Sequence, residues 1–196
     1  MDIMPQDEAQ ELLEPHLPRL KEIFVTAWTK FGQIPTELSY SITPRSRACI
    51  VSDYICHEVR HKFDNVVGVS ITDYPDFLVL NFYNLLLMRF KMLDECLRTS
   101  NVLTYRQKTY NDQDKQLELP SMPPLATRVV AGYQLDRVQA NIKDALITCP
   151  HKNSIVWSFS FFGDEPGASQ QVLPTDEPPM KGPKVKAKNI KKSSNE

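Results

Sequence analysis

Two segments in the first third of the chain space their apolar residues as amphipathic helices do. The first covers residues 17–31, and its apolar stripe consists of Leu17, Leu20, Phe24, Ala27, Trp28 and Phe31. The second follows Thr43, and its stripe consists of Ala48, Val51, Ile55, Val59 and Phe63. Intervals of three and four residues place such side chains on one face of a helix. Gly32 and Pro35 suit the end of the first helix, and Thr43 with Pro44 suits the start of the second. The pattern therefore predicts two N-terminal helices.

After residue 64 the apolar positions alternate or form the short continuous runs that are typical of β-strands. Such stretches cover residues 66–72, 77–82, 85–93, 127–135, 143–149 and 154–162. Short connections between several of them favour antiparallel neighbours. The polar segment 98–118 is predicted to be partly helical, with Thr104 as its cap. The whole pattern predicts an α+β fold, with two N-terminal helices packed on one face of a mainly antiparallel sheet of about six strands.

Composition divides the chain into a folded part and a tail. Beyond Gly163 there are five prolines, six lysines and no aromatic residue. Such a segment cannot bury enough apolar surface to offset the entropy of ordering, so residues 164–196 are predicted to be a disordered tail. Residues 1–163 are predicted to form a single globular domain. The tail from residue 166 carries a charge of +3 and the whole chain −1, so the remainder carries −4. A mildly acidic body argues against a protein that coats nucleic acid.

The four cysteines form no CxxC pair; they are Cys49, Cys56, Cys96 and Cys149. The acidic, proline-containing N-terminus lacks the layout of a secretory signal, and no apolar run is long and uncharged enough to cross a bilayer. These features predict a cytoplasmic protein with reduced thiols and no membrane association. Because the sequence contains neither a Walker loop nor a GxGxxG motif, no cofactor is predicted.

The sharpest local motif is His57-Glu58-Val59-Arg60-His61, which fits the pattern H-E-x-x-H. On a helix the two imidazoles lie one turn apart and can share a zinc ion, while the glutamate can activate a bound water. His57 and His61 are therefore candidate metal ligands, and Glu58 is a candidate catalytic residue. Against this hypothesis, Arg60 places a cation between the ligands and no third ligand is defined. The alternative is a solvent-facing helix surface, since both histidines lie roughly opposite the apolar stripe.

A second candidate site combines Asp76 with the string Arg89-Phe90-Lys91. Nucleases of the PD-(D/E)xK type place an aspartate on one strand and an acid-x-lysine on the next, where the two acids hold Mg²⁺. Here Arg89 occupies the position of the second acid, which Glu58 could replace. Asp76 and Lys91 are candidate catalytic residues on this hypothesis. The alternative is an ordinary strand on which Arg89 and Lys91 extend toward solvent.

Two segments offer basic side chains to nucleic acid. The polar segment interleaves bases with aromatic residues, an arrangement that can hold phosphates and stack bases; these residues are Arg98, Tyr105, Arg106, Lys108 and Tyr110. The tail can attract RNA, DNA or an acidic partner through counterion release, and its lysines are Lys181, Lys184, Lys186, Lys188, Lys191 and Lys192. The alternatives are a solvated helix face and a solubilising tail.

Four strings of this sequence together resemble those of a known family: TPRSRACIVSDYI, RFKML, TRVVAGYQLD and IVWSFSF. Over residues 10–162 the chain resembles an uncharacterised family of small bacterial and prophage proteins of mobile elements, often encoded beside a helix-turn-helix or ImmA/IrrE-type gene. The resemblance implies a component of a toxin–antitoxin or phage-defence module that acts through a protein partner.

The residues to test first under this resemblance are Arg45 and Arg47, followed by Lys91, Tyr133 and Trp157. Arg106 and Lys108 from the polar segment complete the candidate binding residues. A metal-dependent nuclease or peptidase and a nucleic-acid-binding accessory protein remain open as alternatives. The sequence alone therefore predicts a fold and several candidate sites, but it leaves the function undecided.

Overall fold

The computed structural model describes residues 3–74, 77–99, 104–115 and 123–163. These residues belong to one compact unit, Met1–Gly163, and the predicted tail lies outside them. The helices are α1 (Gln6–Leu13), α2 (Leu17–Gly32), α3 (Thr36–Ser39), α4 (Pro44–Lys62) and α5 (Tyr105–Asn111), and a short 3-10 turn (Glu14–His16) joins α1 to α2. The strands are β1 (Val69–Tyr74), β2 (Phe77–Phe82), β3 (Leu86–Met92), β4 (Thr127–Leu135), β5 (Ile142–His151) and β6 (Ser154–Ser160).

The six strands form one sheet whose spatial order follows the order of the sequence. Neighbouring strands are antiparallel except β3 and β4, which pair in parallel. A parallel pair needs a crossover connection, and residues 93–126, which include α5, provide it. The predicted α+β fold with a mainly antiparallel six-stranded sheet is confirmed, and the parallel pair is an addition that the pattern did not predict.

Capping residues explain where two of the helices begin. Thr43 accepts a hydrogen bond at its Oγ1 from the backbone N–H of Ser46 (3.2 Å) at the start of α4. Thr104 accepts one in the same way from the N–H of Gln107 (3.3 Å) at the start of α5. Both satisfy a backbone donor that a helix leaves without a partner at its N-terminus, as the sequence predicted.

The main apolar core lies between α2, α4 and one face of the sheet. From α2, the Phe24 ring lies 6.1 Å from Phe90, 6.0 Å from Tyr133 and 5.8 Å from Phe161, measured between ring centroids. From α4, Val51, Ile55 and Val59 are buried in the same cluster. Their spacing is the stripe that predicted the second helix.

The opposite face of the sheet carries two smaller apolar clusters. One consists of Val79, Leu87 and Ala126, and the other of Leu93, Tyr110, Val130 and Leu146. Tyr110 belongs to α5, and its hydroxyl lies 2.9 Å from the carbonyl oxygen of Leu87 and 2.8 Å from that of Val129. Helix α5 therefore packs on the second face through Tyr110, in addition to the two N-terminal helices that the pattern predicted.

A glutamine side chain completes the sheet at one end of the β4–β5 ladder. The ladder ends at the pair Val130 and Thr148, and Pro150 has no N–H to continue it. Gln113 fills the gap, because its Nε2 donates to the carbonyl oxygens of Arg128 (2.7 Å) and Pro150 (2.8 Å). Its Oε1 accepts from the N–H of Arg128 (3.1 Å). The side-chain amide thus takes the place of a backbone amide.

Candidate functional site

The glutamate of the H-E-x-x-H motif is turned toward α2. Glu58 is buried, and its carboxylate accepts a hydrogen bond from Lys30 Nζ at 2.5 Å. This hydrogen bond is the main cause of a pKa below the usual value for the carboxyl group. His57 and His61 are exposed. The motif therefore places its glutamate and its histidines in different environments, and an ion-paired Glu58 is poorly placed to activate a water.

Within the described residues, no third metal ligand joins His57 and His61. Among the described residues, Asp112, Asp114 and His151 are the one group of three whose ligand atoms lie close enough together to hold a metal, within 4.8 Å of one another. Lys152 Nζ already forms an ion pair with one member of this group, at 2.8 Å from Asp114 Oδ2. A cation would have to displace that ammonium group, so the cluster is better described as a surface ion-pair network.

The residues of the nuclease hypothesis are divided between described and undescribed parts of the chain. Asp76 lies outside the described residues. Lys91 is half-buried on β3, and its pKa is lowered, first by burial and then by the neighbouring charge of Arg89. Glu58 pairs with Lys30, and the described residues contain no ion pair between Glu58 and Lys91.

Arg89 stands out because it is a buried cation between two aromatic rings. Only 6% of the residue is exposed. Its guanidinium carbon lies 4.2 Å from the centroid of the Phe77 ring and 4.9 Å from that of Tyr110. The Phe77 ring in turn stacks on Tyr74 at 4.8 Å. Arg89 thus fills the space between the two apolar clusters of the second face, and it does not extend toward solvent as the sequence suggested.

Arg47 fastens the β4–β5 hairpin to α4. Its Nη1 donates to the backbone oxygen and to the Oε1 of Gln139, both at 3.1 Å. From α2, Trp28 Nε1 donates to the backbone oxygen of Ala140 at 3.2 Å. Arg45, two residues before Arg47, is exposed. The two candidate arginines therefore differ, since Arg47 has a structural partner and Arg45 is presented to solvent.

The remaining candidate binding residues lie apart from one another. Tyr133 is buried, its ring contacts Phe24 and Trp28, and burial raises the pKa of its hydroxyl. Arg106 and Lys108 are exposed on α5. The tail lysines lie outside the described residues. The structure therefore does not gather these candidates into one site.

The described part of the chain has a cavity and a cleft near the candidate residues. A cavity of about 270 Å³ lies on the second face beside α5, and its walls include Arg98, Asn111, Thr148 and Lys152. A wider cleft of about 710 Å³ separates the end of α2 from α4, and Tyr54 and His57 are among its lining residues. In the cavity the two cations are each paired with a carboxylate, Arg98 with Asp94 and Lys152 with Asp114. Its lining is therefore close to neutral.

Sequence reasoning missed the surroundings of two buried polar residues of the second face, Gln113 and Arg89. Gln113 follows two ordinary polar residues, and no local pattern distinguishes it. Arg89 did carry a signal, because a charged residue interrupts the run LLLMRFKML. That signal could not show that the guanidinium is enclosed by Phe77 and Tyr110, which are 12 residues before it and 21 after it.

Family models, curated proteins and solved structures give no match to this chain. The resemblance to proteins of mobile elements therefore stays a prediction. In the part of the chain that the structure describes, no helix combines the length and the apolar character needed to cross a membrane.

Proposed function

We propose that this chain is the component of a bacterial toxin–antitoxin or phage-defence module that acts by binding a protein partner. The resemblance of the four sequence strings suggests the partner, which would be the product of a neighbouring helix-turn-helix or ImmA/IrrE-type gene. The observation that carries the proposal is a surface around the N-terminal half of α4. We call it the partner face and define it by Leu38, Tyr40, Arg45 and Val138.

The partner face combines exposed apolar side chains with an arginine. Leu38, Tyr40 and Val138 are 58%, 87% and 79% exposed. The segment with Leu38 and Tyr40 leads directly into α4, and Arg47 holds the hairpin that carries Val138 against the same helix. Exposed apolar groups beside tyrosine and arginine are typical of the centres of protein interfaces. Arg45 favours a partner with an acidic surface at this point.

The glutamate of the H-E-x-x-H motif is not free for catalysis. Glu58 has a cationic partner in Lys30 and does not line the neighbouring cleft, whose acid is Asp53. Removing the Glu58 carboxylate leaves the Lys30 charge without that partner and destabilises the fold. A loss of toxicity in Glu58→Ala would therefore not show that Glu58 is catalytic. Variants of the exposed partner face avoid this difficulty, because they leave the core unchanged.

Copurification with the product of the neighbouring gene tests the proposal. We expect the wild-type chain to bind that protein, and Tyr40→Asp or Arg45→Glu to reduce the affinity at least about tenfold, as a loss of about 1.4 kcal/mol at an interface does. Tyr105→Asp is the matched control, because Tyr105 is 79% exposed on α5, away from the partner face. An equal loss in Tyr105→Asp, or no complex with the wild type, would contradict the proposal.

Viable counts after controlled expression supply a second readout. In a toxin–antitoxin pair one protein alone lowers the count and coexpression restores it. We expect Tyr40→Asp to abolish the restoration and Tyr105→Asp to retain it. The four unpaired cysteines are in keeping with a module that works in the reducing cytoplasm. Full counts with each protein alone and with both would argue against a toxin–antitoxin pair.

A further inference from the structure

Arg89 has unfilled hydrogen-bond donors although it is buried. A guanidinium carries five N–H donors, and its Nε is completely shielded from solvent without a hydrogen-bond partner. No described carboxylate lies within ion-pair distance of Arg89 or Lys91. Burying an unpaired cation is costly, and an apolar side chain of similar size commonly gives a more stable fold. Packing alone therefore does not account for an arginine at this position.

Arg128 shows how the same fold treats a buried arginine that has a structural role. It is 2% exposed, and its Nη1 and Nη2 donate to the carbonyl oxygens of Lys115 (2.8 Å) and Asp112 (2.5 Å). The two arginines lie on the same face of neighbouring strands. Both arginines leave Nε without a hydrogen-bond partner, but Arg128 has carbonyl acceptors for Nη1 and Nη2, whereas Arg89 has two aromatic rings.

The rings fix the plane of the Arg89 guanidinium. Tyr110 is anchored through its hydroxyl between β3 and β4, and Phe77 is backed by Tyr74. Aromatic faces stabilise the cation but accept no N–H hydrogen bond in its plane. A ligand can therefore approach only along the edge of the guanidinium, and two oxygens of one anion match two N–H groups there.

Lys91 adds a second positive charge within electrostatic range of Arg89. Residues two apart on a strand point to the same face and lie about 7 Å apart. The β2–β3 ladder ends at the pair Leu80 and Met88, so beyond Met88 the two strands are no longer paired. The two cations thus lie where the sheet opens. The charge of two cations without a described carboxylate matches a doubly charged phosphate better than a singly charged carboxylate.

We propose that Arg89 and Lys91 form a binding site for the phosphate group of a ligand, with Arg89 held in plane by Phe77 and Tyr110. The site is separate from the partner face and does not depend on the proposed function. It also differs from a metal-dependent nuclease centre, since its two residues are cations that bind the anion directly.

Inorganic phosphate is the probe for a thermal-unfolding experiment on the full chain. At about ten times its dissociation constant, phosphate should raise the wild-type melting temperature by about 3–6 °C over sodium chloride of equal ionic strength. Arg89→Met should melt at the wild-type temperature or above it without phosphate, and should show no phosphate-specific rise. Arg19→Met removes one exposed arginine elsewhere and should keep the full response. Lys91→Met should keep only part of it.

The Nε–H resonance of Arg89 gives a direct readout. It should be shifted by the ring currents of Phe77 and Tyr110, be absent in Arg89→Lys, and move on addition of phosphate with the same dissociation constant as the thermal effect. This measurement uses the wild type, so it holds even where Arg89→Met does not fold.

Three results would overturn the proposal. The first is a phosphate response no larger than that of chloride, and the second is an unmoved Arg89 resonance. The third is an equal loss of response in Arg19→Met, which would indicate a general charge effect. An equal response to acetate would overturn the assignment to phosphate.

Discussion

Gln113→Ala removes the amide that closes the end of the β4–β5 ladder. Three backbone groups then lose their partner: the N–H and the carbonyl of Arg128 and the carbonyl of Pro150. Gln113 is 1% exposed and Arg128 is 2% exposed, so water does not replace the lost amide without rearrangement. An unsatisfied buried group costs about 1–3 kcal/mol. For three groups with partial relaxation we expect a loss of about 3–5 kcal/mol.

Such a loss is a large share of the stability of an ordinary domain, which is about 5–15 kcal/mol. Urea unfolding of the full chain, followed by the fluorescence of Trp28 and Trp157, measures it. With an m value of about 2 kcal/mol per molar urea, the midpoint should fall by about 2 M. The m value itself should stay unchanged, because the substitution does not alter the surface exposed on unfolding.

Two further variants separate hydrogen bonding from packing at this position. Gln113→Met keeps the length of the side chain and removes the amide, so it should lose nearly as much as Gln113→Ala. Gln113→Glu can accept from the Arg128 N–H but cannot donate to the two carbonyls, so it should also be destabilised. Gln10→Ala, at an exposed position of α1, should change stability by less than about 0.5 kcal/mol. A loss below about 1 kcal/mol in Gln113→Met would refute the amide argument.

Two further predictions concern buried ionisable groups. Neither ring nitrogen of His16 has a hydrogen-bond partner, and burial followed by the charge of Arg19 lowers its pKa below 6.5. In unfolding curves from pH 7.5 to 5.5, the free energy of unfolding of the wild type should therefore not change above about pH 6.5. Below that pH it should fall by at most about 1.4 kcal/mol per pH unit. His16→Leu should remove this pH dependence, and equal slopes in the two proteins would contradict the prediction. Glu58→Gln should lower the free energy of unfolding by about 1–2 kcal/mol at pH 7. The loss should shrink as the pH falls below 4.5, because the hydrogen bond from Lys30 lowers the pKa of Glu58. A loss that persists at pH 3, or an equal loss in the exposed control Glu11→Gln, would contradict the role of the ion pair.

Local patterns predicted the elements whose apolar residues form a full stripe or a full strand. Four of the five stripe residues predicted for the second helix are buried in the core, namely Val51, Ile55, Val59 and Phe63, and Thr43 begins the helix as its type and position indicate. Helix α1 escaped prediction because only Ala9 and Leu13 are buried in it. The parallel pairing of β3 and β4 escaped for another reason, since strand direction depends on how the crossover runs and leaves little trace in the apolar pattern.

Candidate sites were harder to predict than the fold because their chemistry depends on contacts between distant residues. The H-E-x-x-H motif was read correctly as helical, but the partner of Glu58 lies 28 residues away on α2. The same holds for Arg47, whose partner is the hairpin residue Gln139, 92 residues further on. A motif shows which side chains are close in sequence. Burial and contacts with distant residues decide which of those side chains can bind a ligand or take part in catalysis.

The parallel seam between β3 and β4 divides the sheet into two three-stranded meanders, β1–β2–β3 and β4–β5–β6. Within each meander the hydrogen-bonded neighbours are close in sequence, whereas the seam joins strands separated by the whole crossover. Closing that long loop costs more chain entropy than either meander does. Tyr110 lies on the seam, with its hydroxyl between a carbonyl of β3 and one of β4. The two halves are joined by the ladder of the seam and by one shared apolar core, and the connecting chain fastens the same seam a second time through Tyr110.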